Sequence, residues 1–390
     1  MSVRGKYRLK TTLRVLFILL AIYLCFVICT MIAAISSTSK NTQKYYERQI
    51  NHINSLESRY ASGELKPCNE DDFANFSTAD TSDVKINRLT YLATHNSYKK
   101  ELDRENYFCF NYGIPYAGGL HGPTAYNYGF ETLTDQLNNG IRSFELDAHY
   151  RRNGKIECVH NTMLDNNSTC IDFALTFKEL NIWSNHNPNH LPVMILVELK
   201  KGAWIFDTKS LTANDVQNLG AKAKEVLGDK LYTPKNMLSD GGVTDFKEMV
   251  EGDKYPTIDQ MRGKIMFILH PGYATDDYIN LDKTLDKQYF FPVLDGKNVL
   301  KNPSLTKYTC FALSNEPTKQ EVTTLTAKYN MIVRTRIDIH PTVKQSDVDA
   351  GLKANANILS SDCPPRTDGN AKHIAYLDRA NKKTIILNKR

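Results

Sequence analysis

The 390-residue chain has few of the features that mark non-globular proteins. Proline is scarce, at 14 residues, and no low-complexity tract is present, which excludes a disordered or collagen-like chain. No internal repeat is visible, and no CxxC pair or tight Cys/His spacing supports a zinc site. Excess charge is missing too. The formal net charge is +6, and Arg4, Lys6, Arg8, Lys10 and Arg14 supply five of it with no acidic residue among the first fourteen. The remainder is close to neutral, so nucleic acid is a poor partner. The length guarantees a sizeable core, in one large domain or two ordinary ones.

What is present begins with Val15 to Ile35, a stretch of 21 residues without a charge. At about 1.5 Å per residue in a helix it spans the roughly 30 Å hydrocarbon core of a bilayer. The basic cluster before it, and the scarcity of basic residues just after it, predict a cytoplasmic N-terminus. A cleaved signal peptide is the alternative. Ala33, Ala34 and Ser36 would suit one, but the stretch exceeds the usual apolar region of about 7 to 15 residues. The expected organisation is a basic cytoplasmic tail (1–14), a single-pass transmembrane signal anchor (15–35), a polar stalk (36–80) and one large domain (81–390). That domain would be lumenal or extracellular, and secreted if the segment is cleaved.

Two cysteines, Cys25 and Cys29, lie in the apolar span, and six lie in the body. An even six in an oxidising compartment predicts disulfides, with Cys158–Cys170 the first pairing to expect. Asn75, Asn166 and Asn167 open glycosylation triplets.

From about residue 82, short β-branched or aromatic runs recur: 89–93, 141–146, 155–159, 193–199, 264–269, 310–313, 331–335 and 357–360. Several are almost wholly apolar, as strands buried on both faces of a parallel sheet are. Helix-like stretches at 133–138, 171–183, 213–227, 319–329 and 343–353 intervene. Eight strands alternating with helices predict a TIM-type (β/α)8 barrel. A doubly wound sheet would need a Gly-rich turn after its first strand, and Thr94-His95-Asn96-Ser97 is no such turn.

Barrel sites form at the C-terminal ends of the strands. There the sequence places His95 and Asn96, then Glu145 and Asp147, then His160, then Glu198 and Lys200. Glu145 and Asp147 are two apart on one strand and share a face. Like charges so close call for a cation. Asn96, Glu145, Asp147 and Glu198 form an all-oxygen set that suits Ca²⁺ or Mg²⁺ rather than Zn²⁺, and an extracytoplasmic site favours Ca²⁺. His95 and His160 are the natural acid/base pair. Two histidines beside an oxygen-bound cation point to phosphodiester chemistry. His149, His186, His190 and His340 are expected to be structural, with His149 the least secure.

In order along the chain, Ala93-Thr94-His95-Asn96-Ser97-Tyr98, Phe144-Glu145-Leu146-Asp147, the stretch from Ser168 through Trp183 to Pro188, Val197-Glu198-Leu199-Lys200, Val333 to Asp338 and Leu359-Ser360-Ser361-Asp362 resemble the Ca²⁺-dependent phosphatidylinositol-specific phospholipases C of bacteria and fungi. The likeness covers roughly residues 85 to 365. It implies that Asn96, Glu145, Asp147 and Glu198 bind Ca²⁺ and that His95 and His160 are catalytic. It also implies attack of the inositol 2-hydroxyl on phosphorus, protonation of the diacylglycerol oxygen by His160, and a cyclic inositol phosphate product. Whether His95 or Glu145 takes the hydroxyl proton stays open. Lys200, Arg334, Arg336 and Asp338 are candidate contacts for phosphate and inositol hydroxyls. The expected partner is an inositol phospholipid or a glycosylphosphatidylinositol anchor.

Two features depart from the family. One is the N-terminal anchor. The other is the Tyr- and Gly-rich segment 99–132, read either as a lid or membrane-touching loop or as a loop packed on itself. Two other functions compete: a glycerophosphodiester phosphodiesterase, and a catalytically inactive inositol-lipid-binding membrane glycoprotein.

Overall fold

The computed structural model describes residues 3–115, 126–338, 343–366 and 374–390, with side chains from residue 7. His340, and Tyr116, Gly118, Gly119 and Gly122 of the Tyr- and Gly-rich segment, lie outside the described residues. Eleven strands are seen among the described residues: β1 (Leu89–Thr94), β2 (Ser143–Arg151), β3 (Ile156–Glu157), β4 (Val193–Leu199), β5 (Thr208–Lys209), β6 (Ile265–Leu269), β7 (Phe291–Asp295), β8 (Phe311–Leu313), β9 (Ile332–Arg336), β10 (Ile358–Ser361) and β11 (Ile385–Leu387).

Eight of them, β1, β2, β4, β6, β7, β8, β9 and β10, pair in parallel in that order. Pairing of β10 with β1 and of β1 with β2 closes the ring. The TIM-type barrel expected from strand and helix alternation is therefore present. Its core is the apolar filling of β1, β2, β4, β6 and β7, including Leu92, Phe144, Leu146, Ile195, Val197, Phe267 and Phe291, all buried.

Two strand assignments change. Residues 155–159 give only β3, which folds back antiparallel on the end of β2 (His149↔Glu157) through the tight turn at Asn153-Gly154 and lies outside the barrel wall. β2 pairs directly with β4, and the eighth barrel strand is β7, between β6 and β8, whose Phe-Pro-Val-Leu-Asp sequence carries a proline that argues against a central strand. Pro292 is nonetheless tolerated where β7 pairs with Leu269 of β6.

The N-terminal segment forms one helix, α1 (Val3–Ala61), followed by α2 (Arg104–Phe108), α3 (Leu133–Asn138) and α4 (Phe173–His186). Helix α1 includes a stretch long and apolar enough to cross a membrane. It then continues through the polar residues expected to form a stalk and lies against the barrel. Tyr45, Gln49, Ile53, Leu56 and Tyr60 recur every three or four residues on one buried stripe. Gln49 exchanges two hydrogen bonds with the Asp172 backbone (2.8 and 3.0 Å), His52 meets Glu179 (3.1 Å) and Glu57 meets His186 (2.8 Å). Partner numbers rise along both helices, so α1 runs parallel to α4. The stripe mixes Gln49 and two tyrosines with Ile53 and Leu56, which is why its apolar residues look sparse in the sequence.

All eight cysteines are free thiols, so the expected disulfides are not found. Cys158 and Cys170 are buried neighbours that hydrogen-bond without a covalent link. Asn166 and Asn167 do not suit glycan attachment, being buried with their amides donating to Thr38 and Thr42 and to the Glu101 carbonyl. Asn75 is exposed.

Candidate active site

The turn after β1 is tied to β2. Thr94 donates to Ser97 Oγ (2.6 Å), and the Ser97 hydroxyl accepts from the Glu145 amide (2.8 Å) while the Ser97 amide donates to the Glu145 carbonyl (2.9 Å). Within this turn Asn96 has φ = 49°, a left-handed conformation that asparagine tolerates better than most residues. The turn places His95 and Asn96 at the mouth of the barrel beside Glu145.

Glu145, Asp147 and Glu198 offer oxygens that all lie within 4.8 Å of one another. Residues β2 and β4 contribute them in adjacent register, with Asp147 opposite Glu198. Tyr98 donates to Asp147 (2.7 Å) and to Asn96 Oδ1 (3.3 Å), which brings the fourth expected oxygen to the same place. One oxygen of Asp147 is buried without a hydrogen-bond partner. Burial pushes the Asp147 pKa up; Glu198 and Glu145 add to this and Lys200 opposes it. A cluster of hard anionic oxygens with one buried and unmatched fits Ca²⁺.

Protein cations reach the same carboxylates. Lys200 Nζ lies 2.8 Å from Glu198 and 3.1 Å from Asp147. Arg334 pairs with Glu145 and donates to Ser360 (3.1 Å). Burial would raise the Glu145 pKa, but Arg334, with His95, His270 and Lys200, outweighs it and holds it at about 2. Glu145 is thus an anion at any physiological pH, a property that suits a ligand.

Both histidines are held by buried aspartates. His95 Nδ1 meets Asp362 Oδ1 at 2.8 Å and His160 Nδ1 meets Asp165 Oδ2 at 2.8 Å, while their Nε2 edges are left for other partners. His95 Nε2 lies 3.9 Å from Glu145. Asp165 also takes an ion pair from Lys99 (2.9 Å), and both side chains are fully buried. Burial would raise the Asp165 pKa, but Lys99 and His160 lower it below its ordinary 3.8. Arg336 bonds Asp362 (3.1 Å) and lies 3.8 Å from Asp338. Burial, then the neighbouring Asp362, raises the Asp338 pKa.

Nine of the ten expected site residues therefore lie toward the C-terminal ends of barrel strands or in the turns just beyond, and the tenth, His160, comes from the loop after β3, outside the barrel wall. Asp165 and Lys99 are not among the expected site residues, and Asp362 is expected only as part of the Leu359–Asp362 motif, without a role. Asp362 follows β10 directly, so the rule that located the others would have found it; Asp165 and Lys99 sit in loops with no periodic signal. His270, just past β6, was also passed over. Burial pushes His149 down to about 4 and His190 to about 3, so both are neutral, and His186 stacks on Tyr60.

Comparison with known proteins agrees with this geometry. The solved Ca²⁺-dependent phosphoinositol-specific phospholipase C from a Gram-negative Pseudomonas species superposes with a TM-score of 0.56 at 18% identity, covering 81% of this chain and 99% of that one. Its myo-inositol complex gives 0.55 at 19% identity, with 80% and 97% covered. The Ca²⁺-dependent phosphatidylinositol-specific phospholipase C from Streptomyces antibioticus gives 0.52 at 17% identity, with 72% and 95% covered. At these identities the likeness establishes the fold. No curated protein matches by sequence. The sequence profile described as phosphoinositide phospholipase C, Ca²⁺-dependent, matches residues 150–384, more than half of the chain. The chain accordingly belongs to the Ca²⁺-dependent phosphoinositide phospholipase C family, whose members are phosphoric diester hydrolases.

Proposed function

We propose that this protein cleaves phosphatidylinositol-type lipids, or glycosylphosphatidylinositol anchors, to diacylglycerol and a cyclic inositol phosphate. The observation that carries this reading is the pair of aspartate-held histidines on either side of one acidic cluster. Asn96, Glu145, Asp147 and Glu198 would hold Ca²⁺, which when bound supplies positive charge to the reacting phosphate and acidifies an adjacent hydroxyl. Each aspartate fixes the ring and tautomer of its histidine, so that Nε2 is the working nitrogen. His160 Nε2 delivers the proton to the departing diacylglycerol oxygen. His95 Nε2 faces Glu145, and the inositol 2-hydroxyl proton goes either to His95 itself or to Glu145 while a protonated His95 steadies the phosphorane. Arg334, Arg336 and Lys200 bring cationic donors suited to phosphate oxygens and inositol hydroxyls; Asp338 accepts from a ring hydroxyl.

The apolar part of α1, over residues 15–35, anchors the protein as a single-pass span with the basic tail 1–14 in the cytoplasm and the barrel on the lumenal or outer side. Turnover of phosphatidylinositol in detergent micelles tests the chemistry. His95→Ala and His160→Ala are each expected to lose roughly 10²–10⁴-fold in kcat. Turnover like that of the unaltered protein in either variant would remove the acid/base scheme.

A further inference from the structure

Helix α1 carries directional information that its apolar composition alone does not. Asp172 caps the N-terminus of α4 and is bridged to Glu157 in the flap beyond β2, so it marks the mouth end of the barrel. His186 closes α4 just before the chain turns into β4 and marks the base. Gln49 docks at Asp172 and Glu57 at His186, so the chain passes the mouth before it reaches the base. Everything N-terminal to Gln49, including the apolar span, projects beyond the mouth. From Ile35 to Gln49 is 14 residues, about 21 Å of helix.

A second part of the mouth projects the same way. The segment after β1 leaves the barrel rim and lies along α1. Asn41 bonds Asp103, Asn106 donates to Thr38 (2.8 Å), Phe108 packs on Phe26 (6.2 Å between rings) and Tyr23 reaches the Gly113 carbonyl (3.4 Å). Its Phe108 and Tyr112 remain exposed beside the apolar span, with Phe108 at the level of Phe26, about 14 Å of helix inside Ile35, so this segment would follow the span into the apolar layer.

The third observation is a hairpin on the rim. Between β4 and β5, Trp204 is 83% and Ile205 67% exposed. The hairpin holding them is ordered: Gly202 donates to Ser210 (3.0 Å), Ala203 to Thr208 (3.0 Å), and Arg151 to the Phe206 carbonyl (3.0 Å). A Cβ on Gly202 would lie 2.2 Å from the Lys209 backbone, so this close crossing requires glycine. Lys200, Lys201 and Lys209 flank the apolar tip. An apolar tip fixed outward and bordered by lysines matches an interfacial lipid contact.

We infer that α1 holds the barrel mouth down on the leaflet from which it emerges, with the Trp204–Ile205 tip as a second point of contact, so that the site faces lipid of its own membrane. The inference rests on the reading of α1 as a membrane span. It makes the occupant of the Trp204 hairpin a phospholipid leaflet, reached in cis.

The test uses the full-length chain inserted in phosphatidylcholine vesicles whose acyl chains carry bromine. Only two tryptophans are present; Trp183 is buried and donates to Asn138 (2.9 Å). The emission lost in Trp204→Phe therefore isolates Trp204, and its exposed position makes that variant structurally mild. Trp204 emission is expected to fall about twofold or more in brominated relative to plain lipid, and to be shielded from aqueous iodide. Iodide quenching of Trp204 with no effect of bromolipid, in a chain that resists alkaline carbonate extraction, would overturn the inference. Release by carbonate would overturn the span and the inference together. Neither readout depends on turnover, so a failure of the enzymatic reading shows separately.

Discussion

Asp165 has two tasks, countering the buried Lys99 and aligning His160. Its pKa is lowered from 3.8, so its ionic contribution to stability is fully present above that value and is lost as pH falls through the lower folded value. Asp165→Asn leaves Lys99 buried without a counter-charge and is expected to cost roughly 3–5 kcal/mol at neutral pH. Denaturant unfolding should show this gap narrowing below about pH 4. A gap that stays constant down to pH 2 would show that the pair is not ionic. Asp362→Asn disturbs the tautomer and setting of His95 and removes the charge paired with Arg336, and is expected to lower kcat roughly 10–100-fold while leaving Ca²⁺ affinity little changed. At the cation site, Glu198→Gln removes one anionic oxygen and should weaken Ca²⁺ binding about tenfold or more by calorimetry. An unchanged Ca²⁺ titration would exclude Glu198 as a ligand.

Among the elements, what the sequence makes visible follows burial. Strands enclosed on both faces read as continuous apolar runs, and β1, β4, β6, β8, β9 and β10 were recognisable for that reason. The site was legible because the barrel puts chemistry at strand ends, so His95, Glu145, Asp147 and Glu198 could be located without knowing a contact. Three things were hidden. β7 contains Pro292, β3 has the composition of a barrel strand but is only a flap, and the docked part of α1 buries Gln49 and Tyr45 instead of a plain apolar stripe. Asp165 and Lys99 meet only through the fold. The docked stripe of α1 has its own test. Leu56 is fully buried against the barrel, and Leu56→Ala is expected to destabilise the detergent-solubilised chain by about 2–4 kcal/mol. A shift in denaturant midpoint too small to resolve would mean that this segment of α1 contributes no packing.

For the whole molecule, α1 runs from its apolar span to the barrel base, and the carboxylates, histidines and cations face the end from which that span departs. The proposed chemistry is a Ca²⁺-dependent transfer that closes the inositol phosphate into a ring. The most direct measurement is ³¹P NMR of the full-length protein with phosphatidylinositol in detergent micelles, followed over time in Ca²⁺ and then in chelator. The resonance of a five-membered cyclic phosphodiester is expected as the first product, absent in chelator. An acyclic phosphate as the first product, or equal turnover in chelator, would contradict it.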